Sequence, residues 1–126
     1  MDELIARLTQ HLDVSPGTAR SLVGIVLKFL CHEAPHEALA PLLAAHPWIP
    51  EVLAATPEEP APALSERHFG GVARLMHVAD RMMALGLTMP QVQEAVRDIV
   101  AYARESVGDA EIDAVVRAVP GLRQVL

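Results

Sequence analysis

The chain is expected to be all-α, a six-helix bundle built from two three-helix pseudo-repeats joined by a Pro-rich linker. Three observations predict this. No segment shows the apolar–polar alternation of a half-buried strand, whereas apolar residues recur at helical spacing along most of the chain. The stretch Ser15–Leu30, SPGTARSLVGIVLKFL, is apolar over most of a helical circumference, so other helices must wrap it. The second half also repeats the punctuation of the first.

Asp2 to Leu12 reads as a short amphipathic helix with Leu4, Ile5, Leu8 and Leu12 on one face. The central helix follows a turn at Asp13–Ser15. Ser15 and Pro16 supply its start, an N-cap and then a residue whose fixed φ suits the first turn. Only Gly17, Arg20, Gly24 and Lys28 leave a stripe for water or for close approach of another backbone. Pro35 restricts Ala34 and cannot continue the hydrogen-bond ladder, which places the helix end near Cys31–Glu33. A third helix carries Leu39, Leu42 and Leu43, with Pro41 either kinking it or marking its first turn. It stops before Pro47, and Trp48, Ile49, Val52 and Leu53 form a short apolar tail.

Residues 54–71 change character. Thr56, Pro57, Glu58, Glu59, Pro60 and Pro62 have little to bury and read as a linker. Val72 to Leu85 is again helical, ended by Gly86. Thr88 and Gln91 have capping-box spacing and open the longest helix, to about Val107. Its inner stripe is Val92, Ala95, Val96, Ile99, Val100, Ala103 and Val107, with Gln93, Glu94, Arg97, Asp98, Arg104 and Glu105 facing out. Gly108 and Asp109 make a stop and a new cap. Ile112, Val115, Val116 and Val119 define the last helix, before Pro120–Gly121.

At an offset of about 74 residues, Pro16 meets Pro90, Ile25 meets Ile99 and Val26 meets Val100. After a one-residue slip, Leu39 meets Ile112, and Leu42 and Leu43 meet Val115 and Val116. The endings Pro47–Leu53 and Pro120–Leu126 share a Pro-x-aliphatic pattern. Copy one is thus 1–53 and copy two 72–126 of one helical domain. Where the long helices differ, Val23 and Leu30 are replaced by Arg97 and Arg104.

Composition narrows the function classes. A length of 126 residues fits one domain able to bury roughly 65–70% of its unfolded surface. With aromatics at 3%, the core must come from Ala, Leu, Val and Met. The formal charge is −6 and the ten basic residues are scattered, which argues against nucleic acid or anionic membrane as partner. A single cysteine, Cys31, excludes an intrachain disulfide and suits a reducing compartment. No signal peptide and no membrane span is expected, and cytoplasmic residence is.

The chain also resembles the VcgC/VcgE-type family of small bacterial all-helical domains of unknown function. The likeness rests on the proline-started helix after Leu12-Asp-Val-Ser15, on Ala45-His-Pro47, and on Gly70-Gly71. Leu85-Gly-Leu-Thr-Met-Pro-Gln-Val92 completes it, and the likeness covers Leu12–Pro57 and Gly70–Val107. It implies a small helical domain and brings no catalytic residue with it.

Three patterns could carry chemistry. His32-Glu-Ala-Pro-His36 is a literal HExxH, but Pro35 breaks the helix that zinc proteases need, and it reads as a helix terminus. Cys31, His32 and His36 remain candidate ligands if the backbone turns sharply. Asp109, Glu111 and Asp113 resemble a calcium loop, but Ala114 and Pro120 stand where glycine and glutamate are needed, so they read as first-turn acids. Met76, Met82, Met83 and Met89 read as core filler or as an adaptable groove.

The expected function is a non-enzymatic protein-interaction or oligomerisation module, self-associating as a homodimer and needing no cofactor. Its expected surface is Val23, Leu30, Trp48, Met76, Met82 and Met83. The alternative is a carrier of an apolar small molecule between the two halves. Metal binding at Cys31, His32 and His36 is the more distant alternative.

Overall fold

The computed structural model describes residues 2–56, 71–119 and 122, apart from the side chains of residues 71–75. Their regular secondary structure is all helix, with no strand among the described residues. The helices are α1 (Asp2–Leu12), α2 (Pro16–Glu33), α3 (His36–Ala45), α4 (Ile49–Ala55), α5 (Gly71–Met83), α6 (Met89–Val107) and α7 (Asp109–Ala118).

Local chemistry sets the helix starts. Ser15 caps α2, its Oγ accepting the Thr18 backbone N–H at 3.2 Å, and Pro16 follows in the first turn. At the head of α6, Gln91 N donates to Thr88 Oγ1 at 3.4 Å and Thr88 N donates to Gln91 Oε1 at 2.8 Å. The expected capping box is therefore formed. The same Gln91 reaches back with its Nε2 to the carbonyl of Leu12 at 3.1 Å, so the α6 cap also closes the end of α1. Gly86 and Gly108 break the chain at φ of +101° and +113°, a region that side-chain-bearing residues seldom occupy.

Three expectations need correction. The apolar tail after Pro47 forms a helix of its own, α4, so the described residues hold seven helices rather than six. Pro50 sits in the first turn of α4, where its missing N–H costs nothing, and Ile49 is driven fully inside. Ala54 and Ala55 belong to this helix and Thr56 caps it, so the expected linker starts later than residue 54, and 57–70 lie outside the described residues. Gly108, not Asp109, is the N-cap of α7, and no side chain caps it.

The core is one cluster drawn from every helix, with α2 at its centre. Ala19, Leu22, Val23, Ile25, Val26, Leu27, Phe29 and Leu30 are all buried. The helices cross between the halves of the chain. α1 packs on α6 as well as on α2, α5 packs on α2 as well as on α6, and α3 lies against both α6 and α7. α4 packs on α2, and Gly24 makes the approach possible: a Cβ there would overlap the Thr56 hydroxyl. Of the stripe left for a neighbouring backbone, Gly24 is the position used.

Polar ties follow the α1–α6 seam. Arg7 Nη1 and Nη2 each donate to Glu105 at 2.6 Å, a bidentate pair that lowers the pKa of Glu105. His11 Nδ1 lies 2.7 Å from Asp98 Oδ2. Asp98 and Glu105 were expected to face solvent. They face α1 instead.

Gly24→Ala is expected to destabilise the fold by about 1–3 kcal/mol, the usual cost of forcing volume into a packed contact. Thr56→Ala in the same chain should recover more than half of the loss. Urea denaturation of the two single variants and the double variant measures the coupling.

Candidate functional site

The expected interaction surface divides. Val23, Leu30 and Met82 are 1%, 8% and 0% exposed, covered by the chain's own helices, and are not surface. The reason is that α1, α4, α5 and α6 all pack on α2, and Val23 and Leu30 share a lining with side chains of α5, α6 and α7. Trp48 and Met83 are half-buried against the core. Met76 alone of the six is well exposed, joined by Leu85 and Met89.

The metal candidates do not converge. His32 lies in the last turn of α2 and His36 opens α3, with Ala34 and Pro35 both extended between them. Two extended residues destroy the one-turn spacing that HExxH chemistry requires. Cys31 is exposed, and partial desolvation raises its thiol pKa. Among the described residues, the His/Asp/Glu/Cys group with mutually adjacent ligand atoms is His11, Glu94 and Asp98 instead. The acids of α7 serve the helix: Asp109 and Glu111 lie in its first turn, and Asp113 accepts Arg104 Nη1 at 2.7 Å.

Two concavities remain. The inner one is a cavity of about 60 Å³ between the halves, lined by Leu4, Leu27, Ile99 and Val116 among other apolar side chains. Its polar member is His46, 6% exposed, whose Nε2 has no hydrogen-bond partner. The imidazole stacks on Tyr102 with centroids 5.4 Å apart and meets Trp48 at 5.3 Å. Burial lowers its pKa.

The outer one is a groove of about 500 Å³ between α2, α4 and the end of α5. Ile25, Trp48, Val52 and Leu85 form its apolar wall, and Arg20, Glu51 and Arg81 its charged rim. Trp48 lines both spaces. Within the expected surface, only Trp48 belongs to this groove. The sequence puts Arg20, Val52 and Leu85 on separate segments, and their convergence depends on α4 being a helix.

Comparison of the chain with protein-family models, curated proteins and solved structures finds no match. Among the described residues no single helix is long and apolar enough to cross a membrane. The pairs α1–α2 and α3–α4 reach that length only across bends of 110° and 107°.

His46 gives a pH prediction. Its neutral form is favoured in the folded state, whereas the unfolded chain takes up a proton near the ordinary value of about 6.5. Stability attributable to His46 is therefore full above that value and declines as the pH falls below it. His46→Phe, with the cavity giving room for the larger ring, should flatten the dependence of the urea midpoint between pH 7 and 5.

Proposed function

We propose that this chain is a non-enzymatic helical interaction module whose contact surface is the groove between α2, α4 and the end of α5. The observation that supports this most is the groove's make-up: a tryptophan, an exposed leucine and two arginines around one concavity. Trp and Arg are the side chains that dominate interface energetics, and apolar walls with a charged rim are the usual anatomy. The volume is within the range of sites that accept an inserted side chain or small ligand.

The proposed partner is a second copy of the chain. With 16 acidic residues against 10 basic ones, each copy has acidic side chains in excess to meet the arginine-flanked groove of the other. A homodimer built this way associates more weakly as salt rises. The two-copy reading of the chain belongs to the same proposal, supported by α1 lying on α6 as α5 lies on α2. Membership of the VcgC/VcgE-type family and residence in a bacterial cytoplasm complete it, the latter supported by the exposed, unpaired Cys31.

A second reading, carriage of an apolar small molecule, has the inner cavity in its favour. At about 60 Å³ it takes only a very small molecule, because pockets for drug-sized ligands run from roughly 300 to 1,000 Å³.

Sedimentation velocity from micromolar to millimolar chain should show a monomer–dimer equilibrium that salt weakens, with the emission of Trp48 shifting as dimer forms. Leu85→Glu, on an exposed turn residue, should weaken association at least tenfold with unchanged helicity. Monomer at every concentration overturns the proposal.

A further inference from the structure

We propose that His11, Glu94 and Asp98 form a binding site for a divalent first-row transition metal, of which zinc is the natural probe. Each contributes one ligand atom, and the three atoms lie within 4.8 Å of one another. The site joins two elements: His11 comes from the last turn of α1, and Glu94 and Asp98 stand one turn apart on α6.

The donor chemistry fits such a cation. One imidazole and two carboxylates are a borderline N/O set, suited to zinc and its neighbours. Bonds of about 2.0–2.1 Å in a tetrahedral arrangement put donors roughly 3.3 Å apart. His11 Nδ1 and Asp98 Oδ2, now at 2.7 Å, need open by about 0.6 Å for a cation to replace the hydrogen bond between them. The charge balance favours that exchange. Two carboxylates converge here, and Arg97 Nη1 stands 4.0 Å from Glu94, at the outer limit of an ion pair. Exposure is graded from Asp98 at 13% to His11 at 49% of the side chain, so one side is anchored and the other open to water as a fourth ligand.

The surroundings hold the donors in place. Gln91 binds the Leu12 carbonyl on one side of the site, and the bidentate Arg7–Glu105 pair closes the seam on the other. A cation here would clamp α1 to α6 and stabilise the folded chain by mass action. The site lies on the α1–α6 seam and does not rest on the groove reading.

Isothermal titration with zinc chloride near neutral pH tests the site on the full chain. One equivalent should bind, and a hundredfold excess over Kd should raise the melting temperature by roughly 5–10 °C. His11→Ala and Asp98→Asn should each weaken binding at least tenfold, and Cys31→Ser and His36→Ala should leave it unchanged. Because a variant could disturb the seam, ¹⁵N resonances of the His11 ring in the unaltered chain provide a second reading and should shift on titration. Absence of binding up to millimolar zinc, leaving the group as a plain ion pair, overturns the proposal. So does binding that survives His11→Ala and is lost in Cys31→Ser or His36→Ala.

Discussion

The enclosure of α2 is the constraint on which the rest of the structure depends. Leu22, Val23, Ile25, Val26 and Leu27 point in successive directions around one helix, and every one of them is buried. No single neighbour can cover such a helix; α1, α4, α5 and α6 all lie against it. Side chains of Leu and Val size contribute about 1.5–3 kcal/mol each when fully buried. The free energy gained by surrounding α2 therefore governs where the other helices go. The one place where a helix could come closer than side chains permit is Gly24, and α4 takes it.

The enclosure also shapes the surface. Covering α2 draws Met82 inward, and it brings Trp48 to the edge of the groove. Trp48 then lines both the apolar cavity that holds His46 and the open concavity rimmed by Arg20 and Arg81. A side chain pressed into the groove pushes on the same ring that packs on His46, which couples occupancy outside to packing inside. Trp48 is the only tryptophan in the chain, so that coupling has its own optical probe.

Much of the helix plan was legible because its signals are local. Ser15-Pro16, the Thr88–Gln91 box and Gly86 act within one turn, and the structure carries each of them as read. Relations between helices were not legible. Asp98 and Glu105 read as solvent-facing because their own helix places them opposite Val96 and Ile99, and nothing in their neighbourhood announces that Arg7 and His11 lie across from them. Val23 and Leu30 read as interaction surface because the periodicity of α2 does not say whether a second chain or the chain's own helices cover them; here its own helices do. Pro50 is the signal for α4 in the sequence: a proline two residues after Trp48 suits the first turn of a helix. With α4 unread, the groove could not be assembled.

The crossing of helices between halves bears on how the chain reaches this state. α2 is synthesised before two of the helices that enclose it, α5 and α6, which are more than thirty positions further along. At roughly 5–20 residues per second, its widest apolar face waits on the order of several seconds for them. During that interval the nascent chain presents a hydrophobic rod that only α1 and α4 can shield. Such a molecule depends on its second half as an internal chaperone for its first, and an interrupted synthesis would release a sticky fragment in place of a half-sized domain.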